Sequence, residues 1–218
     1  MRQVSIFLII FIIILAVEIP TFSAIKGQID YSIPTDYSKI SESEIESQAK
    51  NYYFNALRVK DGIVNDDITK ALFFYNILEK INPTNINYPI KLGILYDKIN
   101  KDRHAKGFLG KAMGIDPNNP EVYFYYGEFY YKRKYYVIAL KYYKNSYNKG
   151  FNTNYDLLYK LGDIYEKLGD TQSSLKYFTE ANQQNPNPEL EYRIDQVRIQ
   201  DSVNKEFYAD PRIRKFSN

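Results

Sequence analysis

The chain has 218 residues, no cysteine and a formal net charge of +3, with 44% hydrophobic and 17% aromatic residues. The lack of cysteine excludes disulfides, thiol catalysis and thiolate metal sites, and the small, unclustered charge gives no electrostatic case for nucleic-acid binding. The apolar content suffices for a core in one domain or two.

The N-terminus has the three-part pattern of a secretory signal. Arg2 precedes a nearly pure apolar run, residues 4–17, and Thr21 and Ser23 are small residues at the spacing that a signal peptidase recognises. A spanning helix requires about 20 apolar residues, so this run is short for a permanent anchor. We expect residues 1–24 to be a signal peptide or, alternatively, an N-terminal membrane anchor. The rest would then be exported, and so be periplasmic, extracellular or held at the membrane by this segment.

The next segment contains Gly27 and Pro34 and has few periodic apolar residues. It predicts a flexible linker over residues 25–41. Ser41, followed three residues later by Glu44, matches a capping box, in which each side chain bonds the backbone of the other residue. A helix is therefore expected to begin there.

A fixed period runs through the middle of the chain. Pairs of identical residues recur 34 positions apart: Gly93 and Gly127, Ala105 and Ala139, Pro83 and Pro117. Gly162 follows Gly127 by 35 positions. A period of this length indicates an array of helix pairs in which each unit stacks on its neighbours.

The units share a pattern of large residues at positions 4, 7 and 11, small ones at 8, 20 and 27, an aromatic at 24 and proline at 32, although Leu109 replaces the aromatic in the second repeat and Phe151 replaces the proline in the third. Three-four spacing places the first set on one face of a helix A and the second on one face of a helix B. Small residues at 8 and 20 mark where the helices approach most closely, and proline ends the unit. The residues that carry the pattern are Gly93, Tyr96, Ala105, Pro117, Gly127, Tyr130, Ala139, Gly162, Tyr165, Phe178, Ala181 and Pro186.

This pattern resembles the tetratricopeptide repeat (TPR) family. The resemblance implies an all-α fold, a right-handed α-solenoid of stacked antiparallel helix pairs, with about four repeats and a C-terminal capping helix. The TPR domain is predicted at 42–209, with repeats at about 49–85, 86–119, 120–154 and 155–188, a capping helix at 189–208 and a polar tail at 210–218.

The two ends of the array depart from the pattern. In the first repeat, Tyr52 and Ala56 are assigned to positions 4 and 8, and an insertion around Gly62 lengthens the turn. In the capping helix, Leu190 and Ile194 are among the residues expected to face the last repeat. The other side of that helix is expected to present polar residues to water.

The resemblance also implies a concave groove lined by the A helices. Family groove positions correspond to a predicted partner-binding set: Ile90, Ile94, Asp97, Phe124, Glu128, Tyr131, Asp156, Tyr159, Asp163 and Glu166. Over all groove positions of the last three repeats, six acids stand against three lysines, so we expect a mildly acidic groove with apolar anchors for a basic or neutral segment. Alternatively, these charges form only a solvated helix face.

No motif for phosphate binding, nucleophilic catalysis or metal ligation is present, and His104 is the only histidine. We predict a non-catalytic exported scaffold or adaptor, without a cofactor, that binds a protein or peptide, with envelope-complex assembly as one setting. The alternatives are a structural or self-associating envelope component, and a carbohydrate- or peptidoglycan-binding module. No nucleic-acid partner is expected, and membrane contact is expected only through an uncleaved N-terminal segment.

Overall fold

The computed structural model describes residues 40–209. The chain divides into two units, residues 1–40 and 41–218, and every helix given below belongs to the second. The predicted signal or anchor segment, most of the predicted linker and the predicted polar tail lie outside the described residues.

Within residues 40–209 the chain forms nine α-helices and no strand. Helices α1 to α9 span Glu42–Arg58, Asp66–Ile81, Asn87–Lys98, Asp102–Ile115, Pro120–Lys132, Tyr136–Ser146, Tyr155–Lys167, Thr171–Gln184 and Pro188–Ala209. Helices α1 and α2, α3 and α4, α5 and α6, and α7 and α8 pair as A/B hairpins, and α9 packs on α8. The predicted all-α architecture of about four stacked helix pairs and a capping helix is confirmed.

Side chains that accept hydrogen bonds from the backbone define several helix starts. Ser41 Oγ accepts a bond from the Glu44 amide at 3.3 Å, and the Glu44 carboxylate accepts one from the Ser41 amide at 3.1 Å. The predicted capping box is therefore formed. Asn119 and Asn154 cap α5 and α7 by accepting bonds from first-turn amides. These caps satisfy amides that have no partner within the helix.

The glycines at position 8 allow close approach of an aliphatic or aromatic side chain from helix B. A Cβ added at Gly93 would lie 2.8 Å from the Leu109 side chain, and one at Gly162 would lie 2.5 Å from the Phe178 ring. In both repeats the residue at position 24 therefore rests on the backbone of helix A. Larger residues at position 8 would force the two helices apart.

A stacked ring pair recurs in every hairpin. The paired rings lie 5.4 to 5.7 Å apart between centroids, with interplanar angles of 4° to 10°. The four pairs are Tyr52 with Phe74, Tyr96 with Phe108, Tyr130 with Tyr142, and Tyr165 with Tyr177. In the last three repeats these are positions 11 and 23. Offset stacking of this kind adds attraction beyond the apolar area that the rings bury.

The ring contacts correct the alignment of the first repeat. Tyr52 takes the place of position 11, whereas the sequence pattern assigned it to position 4. The Tyr53 ring packs against Tyr75 with centroids 5.7 Å apart, and Lys91 Nζ lies 4.5 Å from the Tyr53 centroid. Tyr131 makes the same two contacts, with Tyr143 and with Lys160. The fully buried Ala49, rather than Ala56, then fills position 8. We therefore infer that the first repeat begins near the start of α1.

Helix α9 takes the place of a fifth helix A. The Asn187 side chain accepts a bond from the Glu189 amide at 2.9 Å, and the stripe containing Leu190, Ile194 and Val197 is buried. The outer side of the helix exposes the expected polar residues, among them Glu191 and Asp195, but it is not uniformly polar. The opposite face exposes more than half of each of four apolar side chains: Tyr192, Ile199, Val203 and Phe207. Their spacing of four and seven residues forms a second stripe along the same helix.

Candidate functional site

The A helices of successive repeats line one side of the array, where α1 contacts α3 and α3 contacts α5. A cavity of about 190 Å³ opens between these three helices. Its lining combines apolar side chains with charged ones: Leu57, Asp61, Gly93, Ile94, Asp97, Lys98, Leu109, Tyr125 and Glu128. We call this surface, together with its continuation along α7 and α9, the concave groove.

The cavity brings together three residues of the predicted groove set, Ile94, Asp97 and Glu128. Two other predicted anchors, Ile90 and Phe124, are buried in the core and leave little surface for a ligand. The remaining predicted residues lie further along the A helices, on α5 and α7: Tyr131, Asp156, Tyr159, Asp163 and Glu166.

Three residues that line the cavity were not predicted from the sequence. Leu57 and Asp61 belong to the first repeat, whose insertion hid its register. Tyr125 falls at position 6, which the family pattern does not count as groove-facing. Burial raises the pKa of Tyr125 to about 12, and the charge of Glu121 adds to the shift. Its hydroxyl therefore remains protonated at neutral pH and can donate a hydrogen bond.

Ion pairs connect neighbouring repeats along the groove near its N-terminal end. Lys98 Nζ lies 2.9 Å from Asp61 Oδ1, and Lys132 Nζ lies 2.8 Å from Asp61 Oδ2. Burial alone would raise the pKa of Asp61, but the bonds from Lys132 and Lys98 outweigh it, so the pKa is lowered. Arg133 Nη1 lies 2.6 Å from Asp97, and its other nitrogens bond Asp102. These contacts join the first three repeats through their A/B turns.

Polar contacts also connect neighbouring repeats in the middle of the groove. The Tyr143 hydroxyl donates a hydrogen bond to Glu128, and Lys160 lies 3.4 Å from the same carboxylate. The Lys160 ammonium also sits 4.1 Å from the centroid of the Tyr131 ring. Burial, followed by the charge of Glu128, raises the pKa of Tyr143, so this phenol stays protonated.

At the C-terminal end, Asp163 is only 4% exposed. It accepts hydrogen bonds from Lys167 at 2.8 Å, from Arg193 at 2.5 Å and from the Tyr131 hydroxyl. Burial alone would raise the pKa of Asp163, but these bonds outweigh it and lower the pKa. Arg193 also donates to the Tyr159 hydroxyl at 2.6 Å and pairs with Glu166. The capping helix is thereby tied to the groove face of the last repeat.

The expected acidic character of the groove is not retained. Of the six acids counted from the sequence, four form ion pairs within residues 40–209: Asp97, Glu128, Asp163 and Glu166. Several of their partners lie outside the family's groove positions, notably Arg133, Lys160 and Arg193. Lys91 and Lys160 both fall at position 6 of their repeats, and this recurrence could have indicated from the sequence that cations face the groove.

Among residues 40–209, no group of His, Asp and Glu side chains has a metal-ligating arrangement. His104 stacks on Tyr96, with ring centroids 5.0 Å apart. No helix within the same range is long and apolar enough to cross a membrane.

Stacked helix hairpins with a lined concave side define a helical-repeat scaffold. The family profile described as tetratricopeptide repeat matches residues 155–188. A TPR repeat-containing protein of Methanocaldococcus jannaschii is 34% identical over 125 residues, which cover 57% of this chain and 22% of that protein. The chain therefore carries a match to the tetratricopeptide repeat family at residues 155–188, and it spans about a fifth of the length of this relative.

Solved structures share the fold at low sequence identity. A crystal structure of MamA is 20% identical with a TM-score of 0.54, covering 64% of this chain and 82% of MamA. The structure of Pseudomonas aeruginosa pilF is 16% identical with a TM-score of 0.59, covering 73% of this chain and 72% of pilF. These likenesses show the shared fold, and the tetratricopeptide repeat fold is typical of protein-interaction scaffolds.

Proposed function

We propose that the chain is a non-catalytic adaptor that binds a segment of a partner protein in its concave groove. The cavity between α1, α3 and α5 carries this proposal. Its volume of about 190 Å³ lies below the roughly 300–1,000 Å³ of small-molecule sites. It fits an apolar side chain presented by a peptide better than it fits a metabolite.

The chemistry of the lining narrows the ligand. Leu57, Ile94 and Tyr125 supply an apolar floor, and the surrounding carboxylates already have cationic partners. A strongly charged ligand would have to compete with these internal pairs. We therefore propose a segment of low net charge, anchored by one apolar side chain and oriented by a hydrogen bond from the Tyr125 hydroxyl.

The proposed setting is outside the cytoplasm, in an envelope complex. It is supported by the N-terminal pattern, in which Arg2 precedes the apolar run at residues 4–17. Intact-mass spectrometry of the protein from native cells tests this step. A mass corresponding to cleavage near Ser23 supports export through a signal peptide. A full-length mass in the soluble cytosolic fraction contradicts export.

Selection from a random peptide display library tests the groove. Peptides enriched on the wild-type protein should bind Leu57→Glu at least about tenfold more weakly, because the substitution places a charge on the apolar floor. The matched control is Lys144→Ala on α6, where an exposed side chain outside the cavity is truncated. Peptides that bind both variants equally, or a library that yields no enrichment, would contradict groove binding.

A further inference from the structure

The two rims of the array differ in composition. Antiparallel pairing puts all turns from helix A to helix B on one side of the array. We call these turns, together with the first turn of each B helix, the A-to-B rim. The turns from helix B to helix A form the opposite rim. That rim, at residues 82–86, 116–119, 147–154 and 185–187, is rich in asparagine and contains one cation, Lys149, which donates a hydrogen bond to Asn118.

Large apolar side chains are exposed along the A-to-B rim. Such residues occur in three of the four turns and in the first turn of α6. They are Ile63, Tyr135, Val137, Ile138 and Leu168. Val137 is 71% exposed, more than any other large apolar side chain among the described residues. Among the exposed large apolar residues of the described range, only Ile81 adjoins a turn of the opposite rim. Clustered exposed apolar residues mark interaction sites.

Exposed cations accompany these apolar residues. The side chains of Lys60, Lys101, Arg103 and Lys134 form no ion pair within residues 40–209. Asp102, the acid beside two of them, is held by Arg133. The first and fourth turns also carry the acids Asp66, Asp67 and Asp170. The excess of positive charge therefore lies at the turns of the second and third repeats, beside the exposed apolar side chains of residues 135–138.

We propose that the A-to-B rim docks on the surface of an anionic lipid bilayer. Apolar side chains such as Tyr135 and Val137 would enter the headgroup region, while the lysines meet lipid phosphates. Apolar insertion and attraction between lysines and phosphates both strengthen binding at a bilayer surface. Tyrosine suits the headgroup region because its ring is apolar and its hydroxyl is polar. This mode of membrane contact is independent of the N-terminal segment, and it leaves the concave groove open.

The composition favours a bilayer over other occupants. A polyanion would be attracted by the cations but would gain little from Val137 at 71% exposure. A protein partner that buried only the apolar side chains would leave Lys134 near apolar surface without a counter-charge, which is costly. A bilayer surface offers an apolar interior beneath a layer of phosphates, so it satisfies both kinds of side chain along an extended rim.

The absence of tryptophan from the chain permits a site-specific test in the full-length protein. Tyr135→Trp places a single fluorescent reporter on the A-to-B rim, and Ile81→Trp places a matched reporter on the opposite side. With vesicles of equal parts phosphatidylglycerol and phosphatidylcholine, Tyr135→Trp emission should shift to the blue and be quenched by brominated acyl chains. Ile81→Trp emission should not change, even if the N-terminal segment inserts.

The cation contribution is tested in the Tyr135→Trp background by adding Lys101→Glu and Lys134→Glu. This variant should lose the blue shift, and high salt should reduce it in the parent. Circular dichroism verifies that the helical fold is retained. Four results would each overturn the proposal: equal shifts at both reporters, no shift at either, a shift with heparin but not with vesicles, or a concentration-dependent shift without lipid.

Discussion

At the scale of single residues, the contact between Gly127 and Tyr143 sets the distance between α5 and α6. A Cβ at Gly127 would overlap the Tyr143 ring, which is itself fully buried. The Tyr143 ring has no room to move outwards, because its hydroxyl donates to Glu128 and its other side packs against Phe124. The glycine is therefore required for close approach of the helices.

Gly127→Ala should destabilise the protein by about 1–3 kcal/mol, because the added methyl group overpacks the hairpin. Thermal unfolding followed by circular dichroism measures the effect as a lower Tm. The matched substitution is Gly107→Ala in α4, where an added Cβ would meet no atom within 4 Å. That change should stabilise by about 0.5–1 kcal/mol, because alanine lowers the entropy cost of forming the helix. Equal effects of the two variants would contradict this account.

Asp163 is a second position where a single side chain holds several elements. It receives bonds from Tyr131 on α5, Lys167 on α7 and Arg193 on α9. These bonds lower the pKa of Asp163 below its ordinary value of 3.8, despite burial. The stabilisation from the lowered pKa is complete above pH 3.8 and is lost as pH falls through the lower value of the folded state.

Asp163→Asn should lower stability at pH 6 by about 1–3 kcal/mol, because it removes a hydrogen-bonded charge opposite Arg193. The difference from wild type should shrink as pH falls through the acid range below pH 3.8, where the native carboxylate also becomes protonated. Thermal unfolding between pH 6 and pH 2.5 measures this difference. Asp156→Asn serves as the control, because Asp156 is exposed and forms no ion pair among the described residues. A constant difference for Asp163→Asn would contradict the assignment.

At the scale of elements, the sequence predicts the hairpins well where their internal contacts are local. The spacing of Gly93 and Ala105 indicates both faces of α3 and α4, and the structure brings these faces together. The first repeat was misaligned because Tyr52 and Phe74 are 22 positions apart, whereas the other stacked pairs are 12 apart. An insertion in α1 and its turn shifts the pattern without changing the contact, and only the ring geometry identifies the register.

The outer stripe of α9 was missed for a different reason. Tyr192 and Ile199 are seven positions apart and have charged neighbours in the sequence. A search for the strongest apolar stripe therefore finds the stripe containing Ile194 and assigns the rest of the helix surface as polar. Helical spacing places both residues on the face opposite Ile194. Burial depends on what lies against each face, and the sequence does not state that.

Substitutions on the two faces of α9 should have different consequences. Ile194→Ala should destabilise α8 and α9 by about 2–4 kcal/mol, because the cavity forms in their shared core. Hydrogen exchange measured by mass spectrometry should then show faster exchange in these helices than in α2, because repeats couple mainly to their neighbours. Ile199→Ala, on the exposed face, should leave exchange in α8 unchanged. Equal acceleration throughout the array would contradict nearest-neighbour coupling.

At the scale of the whole molecule, ion pairs link the A helices from the first turn to the capping helix. Lys132 joins Asp61, and Arg193 joins Asp163, across sequence separations of 71 and 30 residues. The sequence indicated which helix faces line the groove but not which charged side chains pair across it. Residues so far apart in sequence meet only at the angle at which successive repeats stack, and the sequence pattern does not give that angle. The groove is therefore a set of cross-repeat contacts as well as a binding surface.

Arg133 links two repeats through several contacts, and its removal should weaken cooperativity. It bonds Asp97 and Asp102 of the preceding repeat, and its guanidinium lies 3.6 Å from the centroid of the Phe129 ring. Arg133→Met keeps much of the apolar stem but loses the charged bonds, so it should cost about 1–3 kcal/mol. Because repeats unfold together only when their interfaces are strong, the urea transition should also broaden and its m-value fall.

The control for this prediction is Lys70→Met, which removes an ion pair confined to α2. Lys70 lies 2.6 Å from Asp66 one helical turn away, so the pair does not join two repeats. Its loss should cost no more than about 0.5 kcal/mol and leave the m-value unchanged. If Arg133→Met lowered the midpoint with an unaltered m-value, the array would unfold as one unit without this link. The cooperativity would then reside in the buried interfaces between hairpins, such as the packing of α2 against α3.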